Sequence, residues 1–246
     1  MKFGEQLRSS VIPEYQWYYI AYDELKEQLH TAYITKPTKD KPRPKQRKWT
    51  EEDEQRFIDT LDKELDKVDT KQKLKGGEIL RRIGRAEKDV NELLDQLEAR
   101  KANPRLAEED TGGMEEAFME LEDILSDIIA DVHDLAKFVQ LNYTGFQKIT
   151  KKHDKATKWM LRPLLETWLK RRSFFKDNYD ATIVKLSKLY NIVETRGNPV
   201  KGDSSAGGSQ ASFIRQTTKY FVHPDNVTEV KLIILKVCYI DVFKSI

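Results

Sequence analysis

Apolar residues between Phe118 and Ile149 recur in steps of three and four. Phe118, Leu121, Leu125, Ile128, Val132, Leu135 and Val139 are followed by Asn142, Phe146 and Ile149. A repeat of this kind, held for about thirty residues, is a heptad seam on one face of a helix. Such a seam has to bury against a second long helix, and the stretch from Thr50 to Arg100 supplies the partner. Phe57, Leu61, Leu65, Val68, Leu74, Ile79, Ile83, Val90, Leu94 and Leu97 recur there at helical spacing. Thr50 is the expected N-cap, with Asp53 at the third helical position. "KGGE", Lys75 to Glu78, places two glycines mid-helix and is expected to kink it. Asn142 is the single polar step of the seam. A lone Asn there sets register at some cost in stability, so Asn142→Leu is expected to hold or raise stability.

The flanking segments are shorter. Met1 to Ile34 reads as two short helices, with Pro13 near the start of the second. That second helix would carry Tyr15, Tyr18, Tyr19, Tyr22, Leu25 and Leu29 on its apolar surfaces. Thr35 to Lys48 holds three prolines and seven basic residues, the composition of a solvated linker. Helices are predicted over 159–169 and 179–193. Residues 196–210, "RGNPVKGDSSAGGSQ", form a Gly/Ser-rich linker, after which "KYFVH" and "TEVKLIILKV" switch to β-branched and aromatic runs typical of strands. The expected fold is mainly α. An N-terminal helical hairpin packs on two long antiparallel helices with shorter C-terminal helices, and a short β-prone C-terminal fragment follows a boundary near residue 200. That fragment is too short to close a core alone.

Composition changes this picture little. At 39% hydrophobic and 34% charged residues, the chain is too apolar for disorder and charged enough for long exposed helices. Cys238 is the only cysteine, which excludes an internal disulfide and suits a reducing compartment. "MKFGEQLRSS" lacks the apolar run of a signal peptide, and no stretch has the length or apolarity of a membrane span.

The net charge of +2 is uninformative, but its distribution is uneven. Eleven acidic residues and no Lys or Arg lie between Glu108 and Asp134, whereas ten basic and three acidic residues lie between Asn142 and Asp177. In "NYTGFQKITKKHDKATK", a projection at 100° per residue gathers Lys148, Lys151, Lys152 and Lys155 within about 100° of arc, away from Phe146 and Ile149. Lys152 falls nearest the seam edge, and the other three look outward. A charge run is most often a solvated face. Against that, the cations here share one face and lack an i±4 acidic partner within the patch. Lysines near a helix C-terminus also have to hold an anion by their own charge, because no free backbone N–H groups are present there. Tyr22 and Lys26, at i and i+4, present a phenol and an ammonium on one helical face, a second candidate phosphate contact. Alone, this pair reads equally as a core aromatic and a solvated flank.

"MKFGEQL", "YIAYDELK" and "LNYTGFQKITKKHDK" resemble, in order and spacing, the three blocks of an SPX domain, and the resemblance covers residues 1–195. It implies a sensor of cellular phosphate status that binds inositol polyphosphates and pyrophosphates, such as inositol hexakisphosphate, with no cofactor or metal. The phosphate-binding cluster it implies is Tyr22, Lys26 and Lys152, surrounded by Lys148, Lys151 and Lys155, with Lys2 and the amino terminus at the rim. After the linker at 196–212, residues 213–246 resemble the truncated start of the polyphosphate-polymerising tunnel domain of the fungal vacuolar transporter chaperone (VTC) complex, most of all its catalytic subunit. "VCYIDVFKSI", Val237 to Ile246, departs from that pattern. Lys219 and His223 fall in the first strand region of the tunnel, whose later strands, basic lining and metal-binding carboxylates lie beyond this sequence. The expectation is therefore a soluble, non-catalytic regulatory piece on the cytoplasmic face of the vacuolar membrane. Its partners would be the other subunits of the complex and the polymerase domain in cis. The alternative is an active ATP-dependent polyphosphate polymerase in the full-length parent. A nucleic-acid partner fits poorly, because the patch is small and flanked by an acidic half-helix.

Overall fold

The computed structural model describes residues 3–31, 49–103, 112–172 and 179–198. Lys2, the Thr35–Lys48 linker, most of the Gly/Ser-rich linker and the β-prone fragment lie outside the described residues. Within them the secondary structure is helical: α1 (Phe3–Ser10), α2 (Tyr22–Gln28), α3 (Glu51–Ala102), α4 (Gly113–Thr157), α5 (Arg162–Arg171) and α6 (Tyr179–Glu194). Two short 3₁₀ segments, Pro13–Tyr18 and Leu29–Thr31, flank α2. The chain divides into two compact units, Met1–Arg85 with Ala130–Asn178, and Ala86–Ile129 with Tyr179–Ile246.

In the first unit, α3 and α4 run antiparallel. Glu54 meets His153 at one end, and Lys75 and Arg82 meet Asp131 further along. Thr50 caps α3 as expected, in a reciprocal box. Its hydroxyl accepts the Asp53 N–H at 3.2 Å, and Asp53 Oδ2 accepts the Thr50 N–H at 3.1 Å. Helix α3 runs unbroken through Gly76 and Gly77.

The seams follow register more closely than residue type. Leu74 is 65% exposed, and the positions that continue Leu65 and Val68 into the core are Gln72 and Lys75, both buried, ahead of Ile79. Steps of three and four lead from Leu65 through these two polar residues, so a reading of apolar identities alone diverts to Leu74. The Lys75 ammonium is satisfied by Asp131 (3.2 Å), Glu78 (3.3 Å) and Glu14 (3.6 Å). Burial alone would push its pKa down, but the hydrogen bond and charge of Asp131, with Glu14 and Glu78, carry it above the ordinary lysine value. On α4, Phe138 is fully buried in place of the expected Val139. It receives the rings of Tyr15 and Tyr19 in edge contacts at 5.3 and 5.0 Å.

The predicted second N-terminal helix is broken. Pro13–Tyr18 is 3₁₀, and α2 begins only at Tyr22. The break has a cause in the long helices. The Ile20 N–H donates to Asn142 Oδ1 (2.7 Å), and the Ala21 N–H donates to Glu64 Oε2 (2.6 Å). These two amides are satisfied by side chains instead of by helical carbonyls, the chain turns tightly at Ala21, where the Tyr22 N–H donates to Ile20 O at 2.7 Å, and the next helix starts afresh. Tyr15, Tyr19 and Tyr22 are buried as expected, whereas Tyr18 is exposed.

The role of Asn142 corrects the expected gain on removing it. Its side chain is fully buried, Oδ1 holds the Ile20 amide, and Nδ2 donates to Phe138 O at 2.8 Å. Asn142→Leu orphans the Ile20 N–H and is expected to cost about 2 kcal/mol, since an unsatisfied buried donor carries its full desolvation penalty. Chemical denaturation reads this directly, and an unchanged midpoint would mean that water replaces the amide.

In the second unit, Ala86, Val90 and Leu93 of α3, Phe118, Leu121, Leu125 and Ile128 of α4, and Leu186, Leu189 and Val193 of α6 are buried. Leu94 and Leu97 are half-buried. Tyr190 donates to Glu122 at 3.0 Å, and the Arg196 fork grips Glu115 at 2.7 and 3.1 Å. Gly197, at φ +68°, closes α6. A Cβ there would fall 2.7 Å from Leu94, so both the conformation and the space call for glycine.

Candidate functional site

The first unit contains an open cleft of about 620 Å³ between α1, α2 and the C-terminal end of α4. Its walls carry Arg8, Lys26, Lys148, Lys151, Lys152 and Lys155 against two acids, Glu5 and Asp23, with Phe3, Gly4 and Tyr22 completing the lining. The structure thus brings together the six candidate residues it describes, Tyr22, Lys26, Lys148, Lys151, Lys152 and Lys155. Lys2 lies outside the described residues. Lys148, Lys151 and Lys155 are exposed and Lys152 is half-buried, the order the helical projection expects.

Several contacts hold these side chains in place. Gly145 lets the N-terminal segment approach α4, because a Cβ at this position would meet Ile20 at 2.8 Å and the Phe3 ring at 3.5 Å. Phe3 in turn stands edge-on to the Tyr22 ring at 5.0 Å. The clamp of Asn142 and Glu64 on the Ile20 and Ala21 amides fixes where α2 starts, and so where Tyr22 and Lys26 stand relative to Lys152. Glu64 is itself paired with Lys67 at 2.6 Å.

Beneath the lysines, the end of α4 is anchored by His153, which is fully buried. Its Nε2 lies 2.7 Å from Glu54 Oε2 and its Nδ1 lies 3.0 Å from Asp154 Oδ1. Trp49 Nε1–H donates to the same Glu54 oxygen at 2.8 Å, and the imidazole stacks on Phe57 at 4.9 Å. Asp154 Oδ1 also accepts the Leu161 N–H at 2.9 Å, which fixes the turn after α4, where Lys158 takes φ 70°. Asp154 is therefore turned away from the lysines. Among the described residues, no acidic side chain pairs with Lys26, Lys148, Lys151 or Lys155. Like charges held unpaired on one face repel, an arrangement that an anion relieves.

Sequence reasoning missed Arg8, Glu5 and Asp23 as parts of this cleft. Arg8 was legible in principle, because it stands one turn from Gly4 on the same face of α1. Placing it opposite Asp23 needs the tertiary fold.

This architecture is similar to that of a solved structure. The SPX domain of Chaetomium thermophilum glycerophosphodiester phosphodiesterase 1, solved in complex with inositol hexakisphosphate, superposes with a TM-score of 0.55 and 25% identity, covering 79% of this chain and 99% of that one. The chain has the SPX domain fold. Vacuolar transporter chaperone complex subunit 4 of Schizosaccharomyces pombe is 48% identical over 96% of this chain, and subunit 2 of Saccharomyces cerevisiae is 30% identical over 96%. The chain spans 30% and 27% of the lengths of these two relatives. No protein-family model matches the chain. No helix among the described residues is long and apolar enough to cross a membrane, and no group of three or more His, Cys, Asp or Glu side chains among them is placed to hold a metal ion. In this fold, the cleft is walled by two of the three sequence blocks that carried the resemblance and by the end of the third.

Proposed function

We propose that this SPX domain binds inositol polyphosphates and pyrophosphates in the α1–α2–α4 cleft and so reports phosphate status. Tyr22, Lys26 and Lys152 contact phosphate at the helix junction, while Lys148, Lys151 and Lys155 supply the surrounding field. Lys2 extends the site at the rim. The carrying observation is the convergence of Lys26 with Lys148, Lys151, Lys152 and Lys155 on one open cleft from two helices. A ring bearing many dianionic phosphates is the compact anion that such a set of flexible cations meets best. The inositol hexakisphosphate in the solved SPX relative supports the same ligand class.

In the complete protein, residues 1–195 form the sensing domain, 196–212 the linker and 213–246 the opening of a polyphosphate polymerase tunnel domain. The likeness to vacuolar transporter chaperone subunits supports a place in that complex, on the cytoplasmic face of the vacuolar membrane, where the sensor regulates polyphosphate synthesis carried out by the polymerase domain. The chain here is the regulatory part, and turnover belongs to the complete protein.

Calorimetric titration with inositol hexakisphosphate and with orthophosphate tests the binding reading. Saturable binding of the first is expected to weaken steeply as salt rises, because exposed charges are screened within about 10 Å at 0.1 M. Orthophosphate is expected to bind very weakly. Equal affinities for the two, or no heat with the hexakisphosphate, would overturn the proposal.

A further inference from the structure

The cleft carries an ion pair that the clustered lysines do not need. Arg8 of α1 contacts the Asp23 carboxylate of α2, and both side chains line the cavity. They are 63% and 54% exposed, so water competes for both partners and the pair is easily exchanged. It is nonetheless seated firmly on the backbone. A Cβ on Gly4 would stand 3.2 Å from Asp23 Oδ1 and 3.8 Å from Arg8 Nη1, so α1 rests directly against the carboxylate.

We propose that Arg8 and Asp23 form a charge gate that sets how many phosphates a ligand needs in order to bind. This rests on reading the cleft as a phosphate site. Without a polyanion, Asp23 neutralises Arg8 and withholds its charge from the cleft. A highly phosphorylated ring held by the α4 lysines brings a second phosphate within reach of α1. Its oxygens match the guanidinium fork better than a single exposed carboxylate does, and Arg8 transfers to the ligand. A sparsely phosphorylated ring satisfies the lysines and has no phosphate left to draw Arg8 from Asp23. The gate thus supplies a cationic contact for dense polyanions only, and it discriminates by charge density where the flexible lysines do not.

The test is calorimetric titration of the full chain with inositol hexakisphosphate and with inositol trisphosphate. The variants are Arg8→Ala, Asp23→Asn, the double variant and, as the reference for the site itself, Lys152→Ala. Both gate residues are exposed, and unchanged melting curves confirm that the variants fold. Arg8→Ala is expected to weaken the hexakisphosphate by roughly 3–10-fold, the scale of one partly exposed charge-assisted contact, and the trisphosphate by a smaller factor, that of the Asp23 charge left uncompensated. Asp23→Asn is expected to tighten the trisphosphate by a larger factor than the hexakisphosphate, and that preference should vanish in the Arg8→Ala background. If Arg8→Ala leaves hexakisphosphate affinity unchanged, or if Asp23→Asn raises both affinities by one common factor, the gate is wrong. Should Lys152→Ala also leave affinity unchanged, the cleft itself is wrong and the gate falls with it.

Discussion

His153→Ala is expected to lower the stability of the chain by about 3–5 kcal/mol, more than any change among the exposed lysines beside it, because it truncates a buried ring and unmakes buried hydrogen bonds. The imidazole is fully buried between Phe57 and Trp49, and its Nε2 lies 2.7 Å from Glu54 Oε2. Truncation removes a stacked ring, opens a cavity next to Phe57, and leaves Glu54 Oε2 bonded to the Trp49 indole alone among the described side chains. It also releases Asp154 Oδ1 from one of its two anchors, loosening the turn that ends α4. Thermal unfolding should shift by about 10 °C, the scale for a chain of this size. The control is His153→Phe, which keeps the stack on Phe57 and removes only the polar contacts, and it should recover part of the loss. A shift of only a degree or two for His153→Ala would mean that the buried pair contributes little. The same substitution should weaken ligand binding as well, because the lysines ride on the helix end that His153 holds.

The second large effect is on binding. Lys152→Ala is expected to weaken inositol hexakisphosphate by roughly 10–100-fold, the range of one charge-assisted hydrogen bond made in a partly dry site. Lys152 is half-buried where α4 meets the N-terminal segment, so its ammonium is less screened by salt. Lys148 and Lys155 are exposed on the same arc, and their removal should cost several-fold at low salt and little at high salt. Calorimetry at two ionic strengths separates the two behaviours. A ranking that puts Lys155 above Lys152 at both would show that the ligand sits on the outer lysine face and not at the helix junction.

The sequence by itself determined the long helices, their caps and the lysine face, because each is a local property. A heptad step repeats along one helix, Thr50 and Asp53 cap within one turn, and Lys148, Lys151, Lys152 and Lys155 share an arc whatever packs against them. The resemblance to an SPX domain was legible as well, through three short blocks whose residues later meet around one cleft. Only the tertiary structure decided what depended on partners distant along the chain. Gln72 and Lys75 enter the core in place of Leu74 because Asp131 on α4 and Glu14 before α2 satisfy the lysine, a pairing no local pattern contains. The second N-terminal helix breaks because Asn142 and Glu64 take the Ile20 and Ala21 amides across 122 and 43 residues of sequence. For the same reason Asn142, which by its spacing alone is a register device that could be dispensed with, is a hydrogen-bonding clamp. Arg8 and Asp23 became a pair only when Gly4 and Gly145 let α1 settle against α2 and α4. Charge placed on one helix is readable from spacing, but charge placed between helices requires the fold, because its energy depends on distances that only packing sets.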